Sequence, residues 1–169
     1  MIFLKILNKL DRIIDQIYTF FIKKNFKEFG KNSLISFKCR FDFPENISIG
    51  SNVTIGQNVY VDEGVVIGDN SKIQNNVSIY KGVDIGRNVF IGPSVVFTND
   101  LFPKVDGWDE ARIIKTSVED YVSIGANSTI ICGVKLMKNC LIGAGSVVTK
   151  DVSMGKLAYG NPARIIRDI

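Results

Sequence analysis

The chain has 169 residues, of which 46% are hydrophobic, enough for one domain with a substantial core. The formal net charge of +4 is mild, and no basic stretch is interleaved with aromatic residues, so the sequence predicts no nucleic-acid partner. It contains no histidine, which excludes a His-ligated metal site and a His general base, and we expect no metal. Its three cysteines are odd in number and lack metal-type spacing, which indicates reduced thiols and a cytoplasmic protein.

Residues 1–30 predict an amphipathic helix. Charged residues break up the apolar positions, so no run is long enough to cross a membrane, and no signal-type cleavage site follows. Two interpretations stay open: a cap on the repeat that follows, or a peripheral helix at the inner face of the membrane. In the second, Lys23, Lys24 and Lys27 would lie near anionic lipid. The apolar positions are Phe3, Ile6, Leu7, Leu10, Ile13, Ile14, Ile17, Phe20 and Phe21.

A strict six-residue repeat begins at Ile49. Aliphatic residues return at Ile49, Ile55, Val61, Ile67, Ile73, Ile79, Ile85 and Ile91. Four places after each comes a small or β-branched residue: Val53, Val59, Val65, Ser71, Val77, Val83, Val89 and Val95. This period fits neither a helix nor a plain alternating strand, and it is typical of the hexapeptide class of parallel β-helix. Three hexads make one triangular coil, so residues 18 apart should stack.

The repeat is interrupted once and then resumes. From Phe97 to Val118 is 21 residues, which six does not divide, so residues 98–117 are predicted to leave the coil as a loop. Insertions into solenoids are often functional. Tyr80 and Lys81 lie 18 residues before Thr98 and Asn99, one coil below the root of this loop. The predicted organisation is therefore a helix over 1–30, a coil over 31–157 and a C-terminal turn and tail over 158–169.

Two stretches near the C-terminus, Ile142–Asp151 and Gly160–Arg164, resemble the left-handed β-helix acyltransferases that use acetyl-CoA. Residues 72–82 and 92–100, with Pro103, resemble a narrower group, the N-acetyltransferases that acylate a 3-amino group on nucleotide-linked deoxysugars. The resemblance implies an all-β solenoid, acetyl-CoA as cosubstrate and a homotrimer with sites between subunits. It also implies a dTDP- or UDP-linked amino deoxysugar as substrate, in O-antigen (lipopolysaccharide) or other surface polysaccharide biosynthesis.

The same resemblance assigns roles to residues of this chain. Backbone groups of two alanines would meet the pantetheine amides of CoA, and four polar residues would bind its phosphates. These six positions are Ala126, Ala144, Thr149, Lys150, Arg164 and Arg167. Asn99 and Asp100 would lie at the reacting centre. The expected substrate-binding residues are Tyr80, Lys81, Lys104 and Trp108.

The missing histidine favours an amine over an alcohol as acceptor. An alcohol needs a general base, whereas an amine with a near-neutral pKa is already partly nucleophilic, and orientation can supply about 7–11 kcal/mol. Two alternatives remain. One is a sugar O-acetyltransferase in which Asp100, Asp109 or Glu110 acts as the base. The other is a non-catalytic trimeric scaffold attached to a membrane by its N-terminal helix.

Overall fold

One helix and twenty short strands form the described part of the chain. The computed structural model describes the backbone of residues 2–169 and the side chains of residues 9–169. Helix α1 (Ile2–Ile22) comes first. Short 3-10 helices follow at Lys23–Asn25, Pro44–Asn46 and Glu110–Arg112. Among the described residues, no helix has the length and apolarity that crossing a membrane requires.

The strands form three sheets that the chain visits in rotation. Sheet A contains β1 (Glu28–Phe29), β4 (Ser48–Ile49), β7 (Val66–Ile67), β10 (Val83–Ile85), β13 (Thr116–Val118) and β16 (Lys135–Leu136). Sheet B contains β2 (Leu34–Ile35), β5 (Thr54–Ile55), β8 (Lys72–Ile73), β11 (Phe90–Ile91), β14 (Ser123–Ile124), β17 (Leu141–Ile142), β19 (Lys156–Gly160) and β20 (Ala163–Asp168). Sheet C contains β3 (Arg40–Phe41), β6 (Tyr60–Val61), β9 (Ser78–Ile79), β12 (Val96–Phe97), β15 (Thr129–Ile130) and β18 (Val147–Val148).

The register of these strands confirms the predicted all-β solenoid. Ile49 pairs with Ile67 across parallel strands, 18 residues on, and all described strand pairs except β19–β20 are parallel. The repeating aliphatic side chains point into the coil, where Ile49 and Ile67 are each 1% exposed. A hexapeptide period is typical of the left-handed form of this coil.

Asparagines make the corners of the coil possible. Asn52 and Asn70 both adopt positive φ (57° and 60°), which Asn tolerates better than most residues. The side-chain amide of Asn52 donates to the Asn70 amide oxygen at 3.1 Å, and Asn58 donates to Asn76 at 3.2 Å. The stacked corners are therefore held by side-chain ladders as well as by the strands.

Helix α1 covers the first strand of sheet B. The Thr19 hydroxyl accepts from the Ile35 N–H at 2.9 Å and donates to the Ile35 carbonyl at 3.1 Å, satisfying an otherwise open strand edge. The Asp15 carboxylate accepts from the Phe37 N–H at 3.0 Å. The helix ends at Ile22, and Glu28–Phe29 already belongs to the coil as β1, inside the segment predicted to be helical.

The two other predicted segment boundaries also shift. Strand β13 takes up residues 116–118, so the loop is shorter than the predicted 98–117. At the C-terminus, the predicted turn and tail is a hairpin. Strand β19 extends sheet B in parallel with β17, and β20 folds back antiparallel along β19. Two adjacent strands that pair with each other, rather than with the next hexad, leave no six-residue period to find.

Candidate active site

The loop leaves the coil at the corner between sheets C and A. Val96 pairs with Ser78 below it and with Thr129 above it, and Thr129 pairs with Val147. This register puts Lys81 one coil below Asn99 and Lys150 two coils above it. With strands about 4.8 Å apart, Asn99 and Lys150 are roughly 10 Å apart along the coil. Lys81, Asn99 and Lys150 therefore lie at one corner, each in a different coil.

Lys81 ties the loop to the coil. Its ammonium group donates to Glu110 of the loop at 2.6 Å and to Glu63 of the coil at 3.0 Å. These two hydrogen bonds raise the pKa of Lys81 to about 12. The hydrogen bond from Lys81 has the opposite effect on the carboxylate and lowers the pKa of Glu63. A cavity of about 330 Å³ beside the ion pairs is lined by groups of both signs, including Asp84 and Lys115.

Asn99 and Asp100 form the base of the loop. The Asn99 carbonyl accepts from the Ile114 N–H at 2.9 Å, which joins the two ends of the loop. One Asp100 oxygen lies 2.9 Å from the Arg112 guanidinium, and the other accepts from the Phe102 N–H at 2.8 Å. Both Asp100 oxygens are thus engaged within the loop.

Arg112 organises the loop, and it was not among the predicted site residues. Besides Asp100, it donates to the carbonyl of Phe102 and, at 3.4 Å, to that of Gly107. The Asp100–Arg112 pair is the least exposed ion pair among the described residues, with side chains 14% and 23% exposed. The only signal in the sequence was a cation and a carboxylate at opposite ends of one inserted segment.

Of the three remaining predicted substrate residues, two lie on the loop and one lies on the coil. Lys104 and Trp108 are exposed on the outer part of the loop. Tyr80 lies at the loop's corner of the coil and packs against Tyr60, with ring centroids 5.3 Å apart. The Tyr60 hydroxyl donates to Asp42 at 2.9 Å. Burial together with this bond raises the pKa of Tyr60. Of these three residues, Tyr80 therefore belongs to the coil.

Ala126 and Ala144 occupy a different corner, between sheets B and C, and stack one coil apart. The Ala126 carbonyl accepts from the Gly145 N–H at 2.8 Å. Lower in this corner, the Gln57 N–H donates a hydrogen bond of 2.9 Å to the side-chain oxygen of Asn75 in the coil above. Ala144 occupies the equivalent place above Ala126, and its methyl group cannot accept a hydrogen bond. Among the residues that the structure describes, none therefore supplies such a side-chain acceptor to the Ala126 N–H from the coil above.

A cavity of about 240 Å³ at the C-terminal end of the coil brings two predicted phosphate ligands together. Lys150 and Arg164 both line it. Thr149 is exposed beside Lys150, and Arg167 lies farther along β20, where it pairs in register with Leu157. One chain thus divides the predicted site between two corners: Asn99 lies at one and the two alanines at the other. Among the described residues, no cluster of His, Cys, Asp or Glu is suited to a metal ion.

Two family models match the repeats. "Bacterial transferase hexapeptide (six repeats)" matches residues 64–99, and "Hexapeptide repeat of succinyl-transferase" matches residues 46–81 and 115–150. Together they cover more than half of the chain. These matches, with the relatives below, confirm the resemblance to left-handed β-helix acetyltransferases.

Among curated relatives, a dTDP-3-amino-3,6-dideoxy-alpha-D-galactopyranose 3-N-acetyltransferase from Aneurinibacillus thermoaerophilus is 53% identical over 51 residues, covering 30% of this chain and 27% of that enzyme. The matched segments of such relatives span 13% to 33% of those proteins.

Solved structures match over more of the chain. A hexapeptide-repeat-containing acetyltransferase from Vibrio cholerae is 27% identical, with a TM-score of 0.65, covering 91% of this chain and 80% of that one. PerB from Caulobacter crescentus, crystallised with CoA and GDP-perosamine, has a TM-score of 0.69 at 20% identity, covering 93% of this chain and 67% of PerB. At that identity, the likeness to PerB shows the fold alone.

Proposed function

The chain belongs to the hexapeptide-repeat transferases, and on that premise we propose that it is an acetyl-CoA-dependent N-acetyltransferase. Its acceptor is the amino group of a dTDP- or UDP-linked amino deoxysugar. In the reaction the amine nitrogen attacks the thioester carbonyl, the C–N bond forms and the C–S bond breaks. The proton lost by the amine leaves with CoA as its thiol or passes to solvent. The observation that carries the proposal is that this hexapeptide-repeat chain of 169 residues includes no histidine to activate an alcohol.

Features at two places support CoA as the donor. Ala126 offers its N–H at a corner where Ala144 supplies no side-chain acceptor, so a pantetheine carbonyl fits there. Lys150 and Arg164 line one cavity at the end of the coil, where cations suit phosphate groups. Thr149 and Arg167 add a hydroxyl and a third cation to the same end of the molecule.

The engagement of the loop carboxylates supports an amine acceptor. Asp100 is paired with Arg112, Glu110 is paired with Lys81, and Asp109 accepts from the Ala111 N–H at 3.0 Å. Each candidate base for O-acetylation therefore already has a partner within the protein. An amine needs only orientation, and the Asn99 side chain at the loop's root is suited to hold the amine or the thioester oxygen. Lys104 and Trp108 would approach the nucleotide from the loop.

The division of the site between two corners supports a homotrimer. In a trimer, the loop corner of one protomer would approach the alanine corner of its neighbour, which completes the site. Val66 and Phe90 point outward from sheets A and B and are 43% and 40% exposed, which suits burial between protomers. Light scattering should give about three times the 18.8 kDa of the chain. A monomer at micromolar concentration would contradict the shared site.

The cellular setting is part of the same proposal. An acetylated nucleotide sugar is a precursor for O-antigen or another surface polysaccharide, and sugar nucleotides are made in the cytoplasm. We propose a cytoplasmic enzyme.

Measuring CoA release with matched acceptors tests the reaction. The purified chain, acetyl-CoA and each of several dTDP- and UDP-linked amino deoxysugars are mixed, and mass spectrometry identifies the product. We expect acetylation of an amino sugar and none of the sugar with a hydroxyl at that carbon. Acetylation of the hydroxyl sugar would favour the O-acetyltransferase, and absence of CoA binding by calorimetry would favour the scaffold.

A further inference from the structure

The apolar stripe of α1 points away from the coil. Six large side chains of this stripe are 42% to 65% exposed: Leu10, Ile13, Ile14, Ile17, Phe20 and Phe21. Four other side chains of α1 contact the coil: Asp15, Tyr18, Thr19 and Ile22. With 3.6 residues per turn, these two sets lie on opposite sides of the helix. The helix caps the coil with one face and keeps the other for a different surface.

Cations follow the end of this stripe. Lys23 and Lys24 come directly after α1, Lys27 comes three residues later, and all three are exposed. The Lys23 ammonium lies 5.0 Å from the centroid of the Phe20 ring, at the margin of the stripe. Asp15, in contrast, faces the coil, where its carboxylate accepts from the Phe37 N–H. Over residues 9–31 the chain carries six basic and three acidic side chains.

We propose that α1 lies in the plane of an anionic lipid surface, with this stripe in the headgroup region and Lys23, Lys24 and Lys27 on the lipid phosphates. A broad apolar stripe with neighbouring lysines is the pattern of an interfacial helix, and among the described residues no helix suits a spanning role. Lipid fits the stripe better than a second copy, because parallel pairing of copies would bring the same three lysines together. The cap and the membrane contact are thus properties of two faces of one helix, independent of the proposed reaction.

Vesicle co-sedimentation of the full chain tests this surface. The vesicles are phosphatidylcholine mixed with phosphatidylglycerol, compared with phosphatidylcholine alone. We expect the wild type to sediment with the anionic vesicles and to be released by salt, which screens surface charge. Changing Lys23, Lys24 and Lys27 together to Gln should weaken binding by about 10²-fold, since each lysine near an anionic surface contributes roughly fivefold.

Paired variants separate the stripe from general surface effects. Ile17→Ser with Phe21→Ser should abolish sedimentation and leave CoA binding and the melting temperature unchanged, because both side chains are exposed. Met154→Ser, an exposed apolar residue elsewhere in the chain, is the matched control and should sediment like the wild type. Failure of the wild type to sediment with the anionic vesicles overturns the proposal. So does an Ile17/Phe21 variant that still binds vesicles but has a lower molar mass, because the stripe would then join copies of the chain. Neither result bears on acetyl transfer, which is measured separately.

Discussion

Lys81 and Glu110 join the loop to the coil by an ion pair of 2.6 Å, and Glu63 completes the link from the coil side at 3.0 Å. Both predicted catalytic residues lie at the base of the inserted loop. This ion pair fixes a second point of the loop, at Glu110, to the coil. Trp108 is the only tryptophan of the chain and lies in this loop, so its fluorescence reports on the link.

Breaking this link should loosen the loop without unfolding the coil. In Lys81→Met the two carboxylates lose their shared cation, and we expect acrylamide to quench Trp108 more strongly while the far-ultraviolet spectrum stays unchanged. Lys72→Met, on an exposed strand position of sheet B, is the control. Equal quenching in both variants would show that the link does not restrain Trp108.

The same link predicts a pH window for the Trp108 signal. The pKa of Lys81 is raised from 10.5 to about 12 in the folded chain. The stability that Lys81 contributes through the link is therefore complete below about pH 10.5 and is lost as pH rises through 12. The pKa of Glu63 is lowered from 4.5 in the folded chain. The stability that Glu63 contributes through the link is therefore complete above pH 4.5 and is lost as pH falls below that value. We expect constant fluorescence between these limits and a change beyond each. Lys81→Met should remove the alkaline change; a change that persists in this variant belongs to another group.

Ala144→Asn tests the open corner by closing it. Lower in the same corner, the side chain of Asn75 accepts a hydrogen bond from the Gln57 N–H. An asparagine at position 144 should accept one from the Ala126 N–H in the same way. We expect the Kd of CoA, measured by calorimetry, to rise about tenfold or more, since a hydrogen bond to the ligand is lost and the corner is filled. Ala144→Ser is a smaller control, and unchanged CoA binding by Ala144→Asn would remove these alanines from the site.

Much of the fold could be predicted because every hexad repeats one environment. Ile49 and Ile67 occupy equivalent positions, so the period that buries them is visible along the sequence. Arg112, Thr19 and the C-terminal hairpin were not predicted, since each depends on a contact that occurs once. The pairing of Arg112 with Asp100 follows from how the loop folds, and nothing periodic marks it. For the site, the shared corner of Lys81 and Asn99 followed from their spacing, whereas their hydrogen-bond partners did not.

Thr19→Val should destabilise the N-terminal end of the coil. The change keeps the shape of a buried side chain and removes two hydrogen bonds to Ile35, leaving its N–H and carbonyl without that partner. We expect a loss of about 1–3 kcal/mol in the free energy of unfolding, measured by urea denaturation. Thr54→Val on the exposed face of β5 is the control and should change stability little. Equal effects would mean that Thr19 is no more important than a surface threonine.

Asn99 and Asp100 should separate chemistry from positioning. With an amine as acceptor, we expect turnover to rise with pH through the amine's own pKa and then to level off. Asn99→Ala should lower turnover by about 10² or more, as for loss of an oriented polar group at a reacting centre. Asp100 is held by Arg112 and by the Phe102 N–H, so we expect Asp100→Asn to cost only about tenfold, with an unchanged pH profile. A loss of several hundredfold in Asp100→Asn, with a shifted profile, would instead make Asp100 a base. Lys104→Gln, which alters the exposed part of the loop, serves as the comparison and should raise the KM for the nucleotide sugar with little change in kcat.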